Sequence, residues 1–347
     1  MCDYQNRGLT GLANLGNTCY INSALQVINH VYELQEYIYL FFNNNFTNID
    51  EDVNLIFLKE WYELTKLMWN KNCTISPNRF ISVIHAISKN KKNELFTGYK
   101  QNDSTEFVFF IIDIFHKALQ NTSDVGKLFQ YHVDELTMKT GKPCVDFSKY
   151  LLKYHENNYS IIDSLFGIYC KMDIIEEENS KPLSHNFENF YILDIALTSV
   201  NLQDCLKNHF SDESMNEEND NQYFDDKEKC HKDVIKKYAI YYCPKYLIIQ
   251  MKRWDYNLRK NQRIIHYDNE ELDLEEFVHE DRKEFMETKY SLFGIINHSG
   301  NIFGGHYFSF IKNMNDKWYI YNDTQVQEIP KQKLLCNKNY CLIYRRK

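Results

Sequence analysis

The segment GLANLGNTCYINSALQ, residues 11–26, could present a reactive thiol. Asn17 and Thr18 are residue types that commonly begin helices, and apolar residues at helical spacing follow Cys19, so the pattern predicts a helix whose first turn holds this cysteine. There, free backbone N–H groups and the positive end of the helix dipole favour the thiolate. The amide of Asn14 could donate to an oxyanion that develops beside the sulfur. Cys19 is therefore a candidate nucleophile, with a buried structural cysteine as the alternative.

His306 could supply the base that such a nucleophile needs. It opens an aromatic-rich segment directly after Gly304 and Gly305, and a second strand-like segment begins at Trp318, so the two predict a β-hairpin. The two glycines have no side chains, and we expect them to let a substrate backbone pass close to the histidine.

The register of this hairpin selects the group that orients the histidine. Pairing Lys312 with Asp316 places Asn322 opposite the histidine, whereas pairing Lys312 with Lys317 places Asp323 there. Either side chain can accept a hydrogen bond from an imidazole N–H, which would complete a set of nucleophile, base and orienting group.

Composition limits the class of protein. The 347 residues suffice for about two domains or one large one, and 40 basic against 48 acidic residues give a net charge of −8, which argues against binding nucleic acid or anionic membranes. No stretch resembles a signal peptide or a membrane span, and the ten cysteines include no C-x-x-C pair. We therefore expect reduced thiols in the cytoplasm, with the nucleus as a second compartment.

The chain changes from helical to strand-like patterns after about residue 160. This order predicts an α+β fold. The acidic stretch 211–228 has almost no apolar residue and is expected to be a mobile loop. The predicted helices cover about 21–42, 55–69, 78–88 and 104–119, and the predicted strands cover 165–175, 190–197, 239–254, 291–297, 307–312, 318–321 and 340–345.

The two candidate segments resemble the Cys box and the His box of the ubiquitin-specific proteases. These are papain-like cysteine peptidases that hydrolyse the bond after the C-terminal Gly-Gly of ubiquitin. Three further segments resemble motifs of the same family, in the same order: YKQNDSTEFVFF (99–110), YYCPKYLIIQMKRWDY (241–256) and NYCLIYRRK (339–347).

The resemblance implies a papain-like fold shaped like a hand. It implies one catalytic domain over 8–345, with a helical thumb at about 8–151, fingers and the start of the palm at about 160–250, and a palm carrying the His box at about 251–345.

The resemblance also assigns roles to single residues. Cys19 becomes the nucleophile, His306 the general base and then acid, and Asn322 the third member, with Asp323 as the second choice. Asn14 matches the position that stabilises the oxyanion.

Contacts with ubiquitin follow from the same resemblance. Asp103 matches an acidic residue that meets arginines of the ubiquitin tail, although a carboxylate at a helix start is the alternative explanation. The remaining positions implied to lie along the path of the tail are Tyr256, His298, Gly304, Gly305 and Tyr307.

One motif of the family is incomplete here. The family commonly binds zinc through two C-x-x-C pairs, but Cys170 is followed by Asp173, and Asp225 and Glu228 stand where the second pair of thiols is expected. Carboxylates with a single cysteine are poor zinc ligands compared with four thiolates, so we predict no metal site and no other cofactor.

The sequence therefore predicts a deubiquitinating thiol protease that cleaves the isopeptide or peptide bond after the last glycine of ubiquitin. Its expected partners are ubiquitin and ubiquitinated proteins, without nucleic acid or membrane. Two alternatives stay open: a protease for another modifier that ends in Gly-Gly, and a catalytically weak pseudoenzyme that binds ubiquitin.

Overall fold

The computed structural model describes residues 6–44, 52–90, 95–98, 100–120, 145–155, 158–301 and 304–347. Within these ranges the α-helices are α1 (Cys19–Asn29), α2 (Tyr32–Asn44), α3 (Val53–Asn70), α4 (Asn78–Asn90), α5 (Ser104–Leu119), α6 (Val145–His155), α7 (Ile161–Phe166) and α8 (Leu202–His209). No helix of the described residues is long and apolar enough to cross a membrane.

The strands follow in chain order. They are β1 (Gly11–Leu12), β2 (Thr74–Ile75), β3 (Ile168–Glu176), β4 (Pro182–Phe190), β5 (Leu193–Ala196), β6 (Glu213–Met215), β7 (Tyr223–Asp225), β8 (Cys230–Lys232), β9 (Val234–Tyr242), β10 (Tyr246–Lys252), β11 (Leu272–Asp273), β12 (Lys289–Asn301), β13 (Gly304–Lys312), β14 (Trp318–Asn322), β15 (Gln325–Ile329) and β16 (Asn339–Arg346). The mixture confirms the α+β class.

The helical part is organised around α1, whose residues are all buried. The predicted helix over 21–42 is wrong as a single element, because α1 ends at Asn29 and α2 begins at Tyr32. His30 lies in the break, where it is fully buried and its Nε2 is 3.1 Å from the hydroxyl of Tyr321 in β14. Burial lowers the pKa of His30 to about 4, so the ring joins helix and sheet as a neutral group.

The main sheet has the strand order β15-β14-β13-β12-β16-β10-β5, with β11 paired to β12. Both of its faces are buried, and alternate residues of β10 belong to different cores: Ile248 packs with the helices, whereas Leu247 and Ile249 pack on the other side. Helix α1 packs across β12, β13 and β14, so its first turn lies beside the strands of the predicted hairpin.

A second sheet has the strand order β4-β3-β9-β6 and is formed by strands within residues 168–242. Two predicted strands are corrected here. The stretch 165–175 begins as α7 and becomes strand only at Ile168, and the stretch 239–254 is divided into β9 and β10 around Pro244, which cannot donate to a ladder.

The acidic stretch 211–228 is not a structureless loop, and that prediction is wrong. It contains β6, a 3-10 turn and β7, which pairs with β8. The Nζ atom of Lys232 lies 2.7 Å from Glu228, 3.1 Å from Asp225 and 3.3 Å from Glu176. Because one ammonium group serves three carboxylates, the acidic hairpin is held against β3. The hydrogen bonds, led by that to Glu228, raise the pKa of Lys232.

We predict that Lys232→Met lowers the midpoint of thermal unfolding, because it leaves three carboxylates facing one another without their cation. Lys227→Met, at an exposed position of the same turn, is the matched control and leaves the midpoint unchanged. Scanning calorimetry distinguishes the two variants, and equal midpoints would show that the ammonium does not hold the hairpin.

Candidate active site

Cys19 is the first residue of α1, and its side chain is only 3% exposed. Burial raises the pKa of the Cys19 thiol, and the charge of Asp323 raises it further, whereas backbone hydrogen bonds from Tyr307, Tyr20 and Cys19 itself lower it. The backbone N–H groups at the helix start lower the pKa as predicted, but burial outweighs them. The resting thiol is protonated and needs a base.

The loop before Cys19 is shaped by its own polar groups. The Oδ1 atom of Asn14 accepts hydrogen bonds from the backbone N–H groups of Gly16 and Thr18, each at 3.1 Å. Gly16 has a φ of 101°, a conformation that glycine adopts without steric cost. These bonds fix the direction in which the chain enters α1.

Asp323, directly after β14, attaches this loop to the main sheet. Its carbonyl accepts from the N–H of Leu12 at 2.8 Å, and its two carboxylate oxygens accept from Asn14 at 3.0 Å and from Asn22 at 2.8 Å. A Cβ atom on Gly11 would lie 2.3 Å from the carbonyl oxygen of Thr324, the residue after Asp323, so the backbones of the two segments are in close contact. Asp323 therefore holds the cysteine loop.

His306, near the start of β13, is hydrogen-bonded to Asn322, with 2.5 Å between Nε2 and Oδ1. Both predicted registers are wrong, because Lys312 pairs with Trp318 rather than with Asp316 or Lys317. Asn322 reaches the histidine diagonally along one face of the sheet.

The tautomer of this histidine follows from its partner. An amide oxygen only accepts, so Nε2 of His306 carries the proton and Nδ1 has a free lone pair. The N–H of Tyr307, the next residue, lowers the pKa of the Cys19 thiol, and helix α1 packs against β13, so the strand that carries the histidine lies next to the helix start.

Asp103 is fully engaged within the protein. One carboxylate oxygen caps α5 by accepting from the N–H groups of Thr105 at 2.7 Å and Glu106 at 3.1 Å. The other oxygen accepts from the hydroxyls of Tyr307 and Tyr340. The geometry thus fits the alternative explanation, in which Asp103 is a carboxylate at the start of a helix. A direct contact between Asp103 and ubiquitin stays a prediction.

The other predicted ubiquitin contacts differ in accessibility. Tyr256 is 94% exposed, whereas His298 and Tyr307 are 3% and 5% exposed and pack with ring centroids 4.6 Å apart and a 40° tilt between the rings. Lys260 donates to Nδ1 of His298 at 2.9 Å and to its carbonyl at 2.6 Å. The structure therefore favours supporting roles within the sheet for His298 of β12 and Tyr307 of β13, and it leaves Tyr256 open to a partner.

The glycine pair before the histidine serves two different purposes. A Cβ atom on Gly304 would meet nothing within 4 Å, which leaves the expected passage open there. A Cβ atom on Gly305 would lie 2.2 Å from Nε2 of His298 and 2.6 Å from the carbonyl oxygen of Ser299. Gly305 is therefore required by internal packing, and the passage of a substrate along both glycines stays a prediction.

Sequence reasoning missed two residues at this site. Gln101 exchanges two hydrogen bonds with the main chain of Gly305, at 2.8 and 2.9 Å, and Asn22 binds Asp323. Both lie inside segments that carry the family resemblance. The polar side chain of Asn22 in an otherwise largely apolar helix was an available signal, whereas Gln101 lies in a polar stretch and offered none.

A cleft of about 540 Å³ lies between α5 and the strands β5 and β10. Three carboxylates, those of Glu106, Asp113 and Asp194, line it together with aromatic and aliphatic side chains. Burial raises the pKa of Glu106 and of Asp194, as expected for acids in a partly apolar cleft. This cleft suits an extended basic segment.

The fold and the arrangement of cysteine, histidine and asparagine are those of a papain-like cysteine peptidase. Residues 10–344 match the family described as ubiquitin carboxyl-terminal hydrolase. The chain belongs to that family.

Relatives and solved structures agree. The chain is 27% identical to a probable ubiquitin carboxyl-terminal hydrolase of Acanthamoeba polyphaga mimivirus, over 97% of this chain and 90% of that protein. It is 26% identical to ubiquitin carboxyl-terminal hydrolase 2 of Bos taurus, over 97% of this chain but only 55% of the bovine protein. The SAGA Ubp8/Sgf11/Sus1/Sgf73 DUB module bound to ubiquitin aldehyde shares the fold, with a TM-score of 0.74 and 20% identity over 99% of this chain and 71% of that chain.

We predict that Gly305→Ala lowers the free energy of unfolding by about 1–3 kcal/mol, because the added methyl group collides with a backbone carbonyl that cannot yield cheaply. Gly304→Ala, one residue earlier in open space, changes it by less than about 0.5 kcal/mol. Chemical denaturation measures both, and equal stabilities would contradict the packing role of Gly305.

Proposed function

We propose that residues 8–345 form one catalytic domain of a deubiquitinating thiol protease, with the helical part as thumb, the main sheet as palm and the second sheet as fingers. The domain cleaves the isopeptide or peptide bond after the last glycine of ubiquitin. The observation that carries this proposal is the hydrogen bond that orients His306 towards Asn322, on a strand, β13, against which the helix that begins at Cys19 packs.

The reaction follows from these positions. Nδ1 of His306 takes the proton of Cys19 as the sulfur bonds to the scissile carbonyl carbon, giving a tetrahedral intermediate. The imidazolium then gives its proton to the departing amine as the carbon–nitrogen bond breaks, leaving a thioester. The same ring deprotonates a water that attacks the thioester, and the free carboxylate of the tail and the thiol are restored.

Asn14 stabilises the intermediate in this scheme. Its Nδ2 carries two hydrogens, one of which is donated to Asp323. The second is available for the oxyanion, and the carboxylate fixes the plane of the amide. Asp323 thus acts through Asn14, while Asn322 acts through His306.

The acidic cleft supports a basic tail as the substrate. Glu106, Asp113 and Asp194 can pair with the arginines that precede the Gly-Gly of ubiquitin, while Asp103 holds the wall of the cleft through α5. Tyr256, fully accessible, contacts the body of ubiquitin, and Gly304 lets the tail pass.

We also propose that the enzyme works in the cytoplasm or the nucleus. The eight cysteines of the described residues are all free thiols, and two of them, Cys73 and Cys230, are exposed. Such thiols persist in a reducing compartment.

We predict that the protein forms a covalent adduct with ubiquitin bearing a C-terminal propargylamide, and that Cys19→Ala abolishes the adduct. Intact mass spectrometry measures the adduct, and Cys73→Ala, at an exposed thiol, is the matched control that still reacts. Binding without any adduct would indicate a pseudoenzyme. Reaction only with a probe built on another Gly-Gly modifier would identify a different substrate.

A double-mutant cycle tests the link between Asn14 and Asp323. We predict that Asn14→Ala lowers kcat by about 10²-fold or more, as loss of an oxyanion donor does. If Asp323 acts through Asn14, the double variant with Asp323→Ala is no slower than the slower single variant. Losses that multiply would show an independent role for Asp323. Asp316→Ala, which alters a carboxylate at a similar left-handed φ in the turn at the other end of β14, leaves kcat unchanged.

A further inference from the structure

Gln101 pairs with the main chain of Gly305 as a neighbouring β-strand would. Its Nε2 donates to the carbonyl of Gly305 at 2.8 Å, and its Oε1 accepts from the N–H of Gly305 at 2.9 Å. On the other side Gly305 pairs with Gly300 of β12, whereas the described pairing of β13 with β14 reaches only as far as Ser309. The carboxamide therefore takes the place of a strand partner at the end of β13.

The next residue is His306, so this contact bears on the candidate base. His298 and the carbonyl of Ser299 occupy the space in which a Cβ atom on Gly305 would lie, and the carboxamide of Gln101 binds the peptide groups of this glycine. Because Gly305 is held on both sides, the position of the Cα atom of His306, the next residue, is fixed as well.

The same short segment of chain also holds the residue after the histidine. Asp103, two positions beyond Gln101, accepts a hydrogen bond from the hydroxyl of Tyr307. Gly305 and Tyr307, the two neighbours of His306, are thus both bound to residues 101–103 on the helical part. The thiol is also on the helical part, at the start of α1. The bonds from residues 101 and 103 to the two neighbours of His306 therefore set the distance between base and nucleophile.

Glutamine is the side chain that fits this task. It offers one donor and one acceptor in a plane, and both are used. Glutamate of the same length has only acceptors when ionised, and methionine of similar shape has neither a comparable donor nor a comparable acceptor.

We propose that Gln101 is a positioning residue for catalysis, which holds β13 so that Nδ1 of His306 meets the thiol of Cys19. The inference rests on the proposed function in taking His306 as the base. Gln101 acts on the rate of the chemical steps and not on the affinity for ubiquitin.

The test compares Gln101→Met and Gln101→Glu with Gln327→Met, which alters an exposed glutamine of β15 in the same sheet. Steady-state hydrolysis of ubiquitin with a C-terminal fluorogenic group gives kcat and KM, and titration of ubiquitin in a Cys19→Ala background gives Kd. We expect both Gln101 variants to lower kcat on the order of 10- to 100-fold, the cost of a small misplacement of a catalytic group, with Kd unchanged. The control keeps the kcat of the unmodified protein.

A second measurement does not depend on activity. Loss of the acceptor of the Gly305 N–H accelerates amide hydrogen exchange in the peptide that covers β13 in Gln101→Met, while Gln327→Met leaves that peptide unchanged. Accelerated exchange with a lowered kcat supports the proposal.

Three results would overturn the proposal. The first is an unchanged kcat in the Gln101 variants. The second is an affinity for ubiquitin that falls by the same factor as kcat/KM, which would make Gln101 a substrate-binding residue. The third is a loss of the whole fold in both variants. An unmodified protein that never cleaves ubiquitin would instead refute the proposed function, and the exchange experiment would still report on the contact.

Discussion

The bonds that Asp323 receives are the constraint on which the site depends. Its backbone carbonyl holds Leu12 and its carboxylate holds Asn14 and Asn22, so one residue of the sheet fixes both the loop before Cys19 and the first turns of its helix. About 300 residues separate the partners in sequence, and closing so long a loop costs entropy that these bonds and the surrounding core must offset. Charge-assisted bonds suit this purpose because they are stronger and more directional than neutral ones. They help to define where the thiol lies on the sheet.

Other contacts between the helices and the sheet fix the remaining degrees of freedom. The neutral ring of His30 meets Tyr321, and Gln101 meets Gly305, so the joint is held at several separate points and not by a single hinge. Burial that raises the pKa of Cys19 makes this geometry matter more, since the thiol depends on a well-placed base to react. The site is organised to bring the thiol of Cys19 and the imidazole of His306 together.

Local signals predicted the elements well. Helix α5 begins and ends at the predicted residues because Asp103 caps it and its apolar spacing is regular. Features set by distant contacts were not predictable in the same way. The hairpin loop tolerates a left-handed residue at Asp316, which shifted the register, and the clash at Gly305 depends on a histidine from the neighbouring strand. The acidic stretch is structured because Lys232, beyond its end, folds back onto it. Such pairings depend on tertiary context, which single-sequence patterns do not contain.

The most direct test of the account is a crystal structure of the covalent complex with a ubiquitin warhead. It should show the warhead bonded to Sγ of Cys19, Nδ1 of His306 within hydrogen-bond distance of that sulfur, Nε2 on Asn322, and Asn14 still bound to Asp323. A histidine turned away from Asn322 towards Asp323, or a warhead on a different cysteine, would contradict the central claim that the sheet and the helix start are joined to bring this thiol and this imidazole together.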